Sequence, residues 1–344
     1  MTEPFVLGGV AVPCGERRTI DLRVGRRVTG AELQLPVEVV NGRHPGPRLF
    51  VCAAIHGDEI NGVEIIRRVL RRPLRGLRGT LIAVPVVNIY GFIGLSRYLP
   101  DRRDLNRSFP GKEQGSLAGR LARLFVDEIV ARSTHGLDLH TGAIHRSNLP
   151  QIRACLDQPE TQRLARAFGA PVILDANLRD GSLRQEVMER GIPMLLYEAG
   201  EALRFDESSI RAGVRGVVRV MRALDMLPGT KKKGMSPEPF VARSSYWVRA
   251  PQSGILRDRI RLGAVVSSGR TLGIVADPLG HEEFEVRASR EGVVIGRTVL
   301  PLVNEGDALY HVACFDRPDH VADRIEEVLG DVTQVEVASG GSSS

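Results

Sequence analysis

An alternation of strand and helix patterns, which starts near residue 47, is the feature that most constrains the fold of this chain. A continuous apolar run at residues 49–55 is typical of a strand buried on both faces, and residues 59–71 then favour a helix. Strands that alternate with helices predict an α/β domain in which helices flank a mixed, largely parallel sheet. Further strands are predicted at residues 80–87, 136–140, 172–174 and 193–198, and further helices at 117–132, 159–168, 183–190 and 205–224.

The segments on either side of this alternation follow other patterns. Short apolar runs alternate with turns before residue 45, which predicts antiparallel strands. After the alternation comes a stretch rich in Pro, Gly and Lys, and then short strands broken by glycine, which predict a small all-β domain similar to a barrel-sandwich. We therefore predict a domain at residues 1–227, a linker at 228–239, the all-β domain at 240–316, and a segment at 317–344 with a disordered tail.

Composition narrows the class of protein. The chain has 344 residues, of which 42% are hydrophobic and 26% charged, as in a soluble globular protein with one or two domains. We see no secretory signal, and no apolar run reaches the roughly 18 to 20 residues that a membrane span needs. The four cysteines are scattered without a CxxC pair, so we expect no disulfide framework and a cytoplasmic protein.

The net charge of +6 could indicate a nucleic-acid partner, but the distribution of charge argues against one. Lysine occurs only at position 112 and at positions 231–233, so nearly all the positive charge is arginine. These arginines are dispersed among acidic residues, and aromatic residues make up only 5% of the chain. We therefore expect neither a nucleic acid nor a membrane as partner.

A histidine and a glutamate stand at the exit of the first buried strand. His56 and Glu59 lie three residues apart in the sequence His-Gly-Asp-Glu, and His140 follows a later strand in the sequence Asp-Leu-His-Thr-Gly. In a parallel sheet, functional groups gather beyond the carboxyl ends of the strands, so these side chains can converge. Two histidines and one glutamate form the ligand set of a catalytic zinc site whose fourth position stays open for water.

Other interpretations of these residues remain open. Asp58 and Glu59 would also suit the first turn of a helix, where they would face the positive end of its dipole. Gly57 would let the chain turn sharply out of the strand. Asp138, on the same strand face as His140, would orient that ligand. His135 and His145 are rival ligands.

Four motifs occur in the order that is known from one family. They are His-Gly-Asp-Glu at 56–59, Asp-Leu-Asn-Arg-Ser-Phe-Pro-Gly at 104–111, Asp-Leu-His-Thr-Gly at 138–142 and Tyr-Glu-Ala-Gly at 197–200. In these motifs the chain resembles the succinylglutamate desuccinylase/aspartoacylase family, a branch of the zinc-carboxypeptidase-like hydrolases. The resemblance covers about residues 45 to 225, and the all-β part resembles the C-terminal domain of that family.

The resemblance implies roles for the residues of the first, third and fourth motifs. His56, Glu59 and His140 would hold one zinc ion per chain. Glu198 would be the general base that activates the attacking water. The alternative for Glu198 is an ion pair between a strand-end glutamate and one of the many arginines.

The second motif would bind the substrate. Asn106 and Arg107 would hold a carboxylate of the substrate, since a planar guanidinium binds a carboxylate through two hydrogen bonds. A polar turn is the alternative for this motif. A further arginine would polarise the scissile carbonyl. Arg97 fits the family pattern best, and Arg103 is its rival and a further candidate for substrate binding.

Together these observations predict a zinc-dependent amidohydrolase that removes an N-acyl group from an amino acid or a similar small carboxylate. The first alternative is a carboxypeptidase-like hydrolase that acts on a peptide or protein tail. The second is a non-catalytic regulatory module that binds a metal. The nature of the acyl group stays open at this point, and so does the oligomeric state, for which a homo-oligomer is one alternative.

Overall fold

The computed structural model describes residues 3–229 and 239–315. The predicted linker lies mostly outside the described residues, as does the segment 317–344. The strands are β1 (Phe5–Leu7), β2 (Val10–Val12), β3 (Arg17–Arg26), β4 (Glu32–Asn41), β5 (His44–Ala53), β6 (Arg78–Val84), β7 (His135–Gly142), β8 (Arg146–Ala154), β9 (Val172–Asp175), β10 (Met194–Glu201), β11 (Phe240–Ala242), β12 (Ser244–Arg249), β13 (Gly254–Asp258), β14 (Val265–Val266), β15 (Thr271–Ala276), β16 (Glu283–Arg287), β17 (Gly292–Thr298), β18 (Leu302–Val303) and β19 (Ala308–Cys314). The helices are α1 (Asn61–Leu70), α2 (Ile89–Ile93), α3 (Leu117–Glu128), α4 (Pro159–Phe168), α5 (Leu183–Glu189) and α6 (Glu207–Ala223), with 3-10 turns at Leu105–Arg107 and Val130–Arg132.

One large mixed sheet organises the described residues. Its main path runs β12-β19-β17-β8-β10-β7-β5-β6-β4-β3. The strands β10, β7, β5 and β6 are parallel to one another, while β8 and β4 pair antiparallel on either side of them. The predicted α/β fold with a mixed sheet flanked by helices is confirmed, and so are the antiparallel strands at the N-terminus.

The central strand β5 shows why its sequence is a continuous apolar run. Leu49 and Val51 pack in a core with α1, α4 and α6 on one face of the sheet. Phe50 and Cys52 pack in a second core with α3 and α5 on the opposite face. Because successive side chains of a strand point to opposite faces, a strand that is covered on both faces must be apolar at every position.

The C-terminal strands join the same sheet. The strand β17 pairs with β8, β19 and β12 follow it, and β11 pairs with β9. A separate four-stranded sheet, β16-β15-β13-β18, packs against them around its own apolar core. The all-β region is thus present as predicted, and its strands β17, β19 and β12 extend the large sheet.

Two elements differ from the sequence-based expectations. The strand β8 was not predicted, because its sequence, Arg-Ser-Asn-Leu-Pro-Gln-Ile-Arg-Ala, mixes polar residues with a proline. The predicted loop at residues 91–111 contains the 3-10 turn at Leu105–Arg107 and the end of α2. None of the helices in the described ranges is long and apolar enough to cross a bilayer.

Candidate active site

The chain leaves β5 through a tight, irregular segment. Ala54 has a φ of 50°, in the left-handed region. A Cβ atom on Gly57 would lie 2.0 Å from the backbone carbon of Gly91, so this glycine is required by close packing of two loops. The helix α1 begins only at Asn61, without a side-chain cap, so Asp58 and Glu59 precede its first turn and the capping interpretation is wrong.

Three buried side chains meet at the ends of β5 and β7. The Nδ1 atom of His56 lies 2.7 Å from Oε1 of Glu59, and Nδ1 of His140 lies 2.7 Å from Oε2 of the same carboxylate. One potential ligand atom from each residue lies within 4.8 Å of the others. The described parts of the chain contain no other such group of three. The predicted ligand set therefore converges in space.

A carboxylate lies within hydrogen-bond distance of the Nε2 atom of each imidazole. Asp138 Oδ2 lies 2.7 Å from Nε2 of His140, and Asp104 Oδ1 lies 3.2 Å from Nε2 of His56. The thiol of Cys52 donates to the other oxygen of Asp138 at 3.4 Å. Such second partners orient histidines that bind metals, so both Nδ1 atoms are directed at the centre of the site.

The charges within this cluster offset the effect of burial on its pKa values. Burial acts to raise the pKa of Glu59, but the two imidazoles outweigh it and hold that pKa well below its usual range. Burial likewise acts to lower the pKa of His56 and His140, but the neighbouring carboxylates raise both pKa values. Buried charges persist only where they are paired or bind a metal, and this group satisfies the first condition and suits the second.

Glu198 stands beside the three residues. It lies opposite His140 in the parallel pair of β10 and β7. Its Oε2 atom is 2.8 Å from Nη2 of Arg153 and accepts a hydrogen bond of 3.3 Å from Asn148. Glu198 therefore lines the pocket and also forms the ion pair that was its alternative interpretation, and Arg153 fixes the direction of its carboxylate.

The structure places the two candidate arginines, Arg97 and Arg103, in different surroundings. Arg97 donates to Glu59 Oε1 at 3.3 Å and to Asp104 Oδ2 at 3.1 Å, and it lines the pocket. The Arg103 side chain is 63% exposed, lies 4.0 Å from Asp101 and is not among the pocket-lining residues. The geometry favours Arg97 near the reacting group and does not support Arg103 as a substrate ligand, because Arg103 points outward before the turn at Asp104.

The second motif also reaches the pocket. Asn106 and Arg107 both line it. The Oδ1 atom of Asn106 accepts a hydrogen bond of 2.9 Å from the backbone N–H of Leu183, which ties the 3-10 turn to the start of α5. Arg107 donates to the carbonyl oxygen of Asn106 at 2.5 Å. The motif is therefore a polar turn that at the same time presents an amide and a guanidinium to the pocket.

The rival histidines lie apart from the cluster. His135 begins β7, at the end opposite to His140, and is 3.5 Å from Glu160. His145 lies in the turn before β8, with a φ of 62°. Neither belongs to the group that could hold a metal.

The pocket around these residues encloses about 240 Å³. Part of the pocket wall was not predicted from the sequence, because arginines are common throughout the chain and β8 was not predicted. The strand β12 of the C-terminal region contributes Trp247, which stacks on His311 with ring centroids 4.4 Å apart. The missed lining residues are Arg146, Asn148 and Arg153 from β8, Arg179, Ser182 and Arg184 from the segment around the start of α5, and Trp247.

Fold and site together define an α/β protein with a buried His-Glu-His cluster in a small pocket. A model of the succinylglutamate desuccinylase/aspartoacylase catalytic domain matches residues 45–224. The chain belongs to this family, and the expected membership is confirmed.

Similar proteins agree with this assignment. The chain is 30% identical over 295 residues to an N-alpha-acetyl-L-2,4-diaminobutyric acid deacetylase from Halomonas elongata, which covers 82% of this chain and 86% of the relative. A succinylglutamate desuccinylase/aspartoacylase from Rhodobacter sphaeroides superimposes with a TM-score of 0.79 at 25% identity, over 87% of this chain and 96% of that one. The ectoine utilization protein EutE (DoeB) from Ruegeria pomeroyi, in a product-bound structure, has the same fold, with a TM-score of 0.79 at 24% identity over 91% and 99% of the chains.

Proposed function

We propose that this protein is a zinc-dependent amidohydrolase that removes an N-acyl group from an amino acid or a similar small carboxylate. The observation that carries the proposal is the convergence of His56, Glu59 and His140 beside Glu198 in one pocket. Family membership and the similarity to a deacetylase of an N-acetylated amino acid support it.

The donor set fits zinc. Two imidazole nitrogens and one carboxylate are its usual catalytic ligands, and the Nδ1 atoms of His56 and His140 both face Glu59. When bound, zinc lowers the pKa of a coordinated water towards neutrality and polarises a carbonyl group. His56, Glu59 and His140 would hold the ion, and Asp138 and Asp104 would keep the imidazoles in place.

The other catalytic roles belong to side chains of the protein. Glu198 takes a proton from the attacking water and passes it to the leaving amine, and Arg153 keeps its carboxylate aimed into the pocket. Arg97 stabilises negative charge on the carbonyl oxygen. Asn106 and Arg107 bind the α-carboxylate of the substrate.

The pocket supports a small substrate over a peptide tail. Its volume of about 240 Å³ is small for a ligand site, and Trp247 from the C-terminal region forms part of its wall. The presence of Glu198 next to His140 supports catalysis over mere metal binding, because a regulatory module has no use for a base at that position.

Metal analysis combined with a hydrolysis assay tests the proposal. The purified protein should contain about one zinc per chain, should release free amino acid from N-acyl amino acids, and should lose activity with a chelator and regain it with zinc. The variant His140→Ala should lose the metal. A His140→Ala protein that keeps full zinc occupancy, or wild-type turnover that persists without metal, would contradict the proposal.

A further inference from the structure

A second pocket lies at the opposite end of the sheet from the candidate active site. The strand β5 begins at His44, which lines this pocket, and ends at Ala53, shortly before His56. The second pocket encloses about 640 Å³, which is within the range of small-molecule sites. None of the described residues that line it is acidic, and its basic lining residues are Arg17, Arg43, His44, Arg72 and Arg75.

The sequence concentrates positive charge in the segment that follows α1. Residues 71–78 read Arg-Arg-Pro-Leu-Arg-Gly-Leu-Arg, with four arginines and no acid. Arg67 and Arg68, in the last turn of the helix, both donate to Glu64. Beyond the helix, the side chains of Arg72 and Arg75 form neither a hydrogen bond nor an ion pair with residues 3–229 or 239–315.

The turn between β4 and β5 adds a third arginine of this kind. The side chain of Arg43 also lacks a hydrogen bond and an ion pair within the described ranges. Its stem lies against Gly15, where a Cβ atom would be 2.9 Å from Cγ of Arg43. Arg17 differs, because it donates to Glu38 and, at 2.7 Å, to the carbonyl oxygen of Leu70. It is therefore held as part of the wall.

An unpaired arginine at a protein surface is ordinary, but here three of them line one cavity. They come from two separate segments, the β4–β5 turn and residues 71–78. Like charges that face one concave surface raise the local positive potential and attract anions. The second pocket is therefore suited to an anionic ligand.

The backbone around the second pocket is fixed before any ligand arrives. The N–H of Gly42 donates to the carbonyl oxygen of Gly79 at 2.8 Å, and the N–H of Arg78 donates to that of Met226 at 2.9 Å. Leu77, between the two arginine-bearing parts of the wall, is 3% exposed. A preformed wall has little conformational freedom to lose on binding, which favours affinity.

We propose that the second pocket binds a small anion of the di- or triphosphate class, with Arg43, Arg72 and Arg75 as its ligands. A phosphate group presents acceptor oxygens in several directions, so it can accept hydrogen bonds from guanidinium groups on separate segments. A carboxylate is planar and suits a single guanidinium. Val40 and Leu74 line the same pocket and would contact an uncharged part of the ligand. The proposal does not depend on the proposed function.

Calorimetric titration of the purified full-length protein with pyrophosphate, inorganic phosphate and citrate tests the class of anion. We expect pyrophosphate to bind roughly 10-fold more tightly than inorganic phosphate, because it engages a further guanidinium, and also more tightly than citrate. Its affinity should fall as the salt concentration rises. Metal content measured before and after the titration checks that no probe extracts a metal. Equal affinities for pyrophosphate and citrate would overturn the assignment to phosphates.

The variants Arg43→Gln and Arg75→Gln assign the binding to the second pocket. Each should weaken pyrophosphate binding by roughly 10-fold and the double variant by roughly 100-fold, since each removes a charge-assisted hydrogen bond. Both side chains are exposed, so the variants should fold, which circular dichroism checks. Arg120→Gln, at an exposed arginine of α3 that lines neither pocket, is the matched control and should bind like the wild type. An equal loss in this control would show unspecific charge attraction and overturn the proposal.

Arg107→Gln distinguishes the second pocket from the candidate active site, which also contains arginines. We expect pyrophosphate binding at the second pocket to persist in this variant. Binding that is lost in Arg107→Gln but unchanged in the double variant would place the anion in the candidate active site and overturn the proposal. Absence of pyrophosphate binding by the wild type would overturn it as well. None of these outcomes bears on the hydrolysis assay, so the two proposals can fail separately.

Discussion

Glu198 pairs with Arg153, and in the proposed function it is also the general base; a single substitution can separate these two roles. We expect Glu198→Gln to keep zinc bound and to lower kcat by at least about 100-fold, because the amide retains the shape of the side chain but cannot accept the proton. The measurement is kcat together with metal content. Glu201→Gln, at the end of the same strand, is the control and should stay near wild type.

Near-normal turnover of Glu198→Gln would place the base elsewhere. A loss of zinc together with activity would instead show that the pair of Glu198 with Arg153 maintains the pocket. Circular dichroism of both variants checks that they are folded.

His311 predicts a pH dependence of stability. It is 4% exposed, its Nε2 atom lies 2.8 Å from Ser245 Oγ, and its pKa is about 3 because of burial and three nearby arginines. The unfolded chain binds a proton at this histidine near pH 6.5, whereas the folded chain does not, so the stabilisation is present above pH 6.5 and is lost as the pH falls. Between pH 7 and 5 we expect the wild type to lose about 2 kcal/mol more than His311→Gln. Urea unfolding at several pH values measures this difference, and parallel curves would contradict it.

The sequence was sufficient to bring the candidate metal ligands and Glu198 together and insufficient to predict the residues that shape the rest of the pocket. His56, Glu59, His140 and Glu198 could be predicted because they follow strands that run in parallel, so the chain order itself brings them to one edge of the sheet. Arg146, by contrast, reaches the pocket through an antiparallel strand that has no pattern of its own. Nothing in the local sequence distinguishes it from the many other arginines.

Among the elements, α1 and α6 are joined by a charged contact. Arg68 on α1 donates to both oxygens of Glu207 on α6, at 2.7 and 2.8 Å, and to Glu64 at 2.7 Å. Hydrogen bonds from Arg67 and then from Arg68 lower the pKa of Glu64 to about 2, and hydrogen bonds from Arg68 and then from Arg211 lower the pKa of Glu207 to about 2. We expect Arg68→Ala to reduce the free energy of unfolding by about 1 kcal/mol at pH 7, since Glu207 is partly exposed and solvent screens the pair.

Acidic pH should reduce the difference in the free energy of unfolding between the wild type and Arg68→Ala. The two carboxyls keep their charge in the folded protein down to about pH 2 but take up protons near pH 4.5 when unfolded, so their contribution is full above pH 4.5 and declines below it. The gap between wild type and Arg68→Ala should therefore narrow from pH 5 to pH 3. Arg123→Ala, which breaks a pair with Asp127 inside α3, is the control and should cost less. A gap that is independent of pH would show that Arg68 acts through packing alone.

The strand that is covered on both faces was predicted correctly from its sequence. A strand that forms only through pairing with distant residues was not. The apolar run at residues 49–55 identified β5, and α4 has the bounds that its pattern predicted. The strand β8 forms because β10 and β17 supply partners on both of its edges, in spite of Pro150. Such a strand depends on residues distant in sequence, which local patterns do not contain.

On the scale of the whole molecule, strands from both sides of the predicted domain boundary join in one large sheet. Leu149 and Val172 of the N-terminal part pack with Val293 and Ile295 of the C-terminal part. We expect a single cooperative thermal transition, with equal calorimetric and van't Hoff enthalpies, because neither part can unfold without exposing the shared core. Differential scanning calorimetry of the full chain measures it. Two resolved transitions would instead indicate that the predicted domains at 1–227 and 240–316 unfold independently.

The pairing of β8 with β17 also has a consequence for how the chain is made. Arg146 lies opposite Thr298 in this pair. A ribosome that adds about 5 to 20 residues per second needs roughly 8 to 30 s to make the intervening stretch of about 150 residues. During that time residues 146–148 of β8 lack their partner strand, and other chains can add at this short edge, whereas residues 151–154 pair with β9. Aggregation of this protein should therefore begin between nascent chains on the same polysome. Slower synthesis after β8 should make folding more dependent on chaperones.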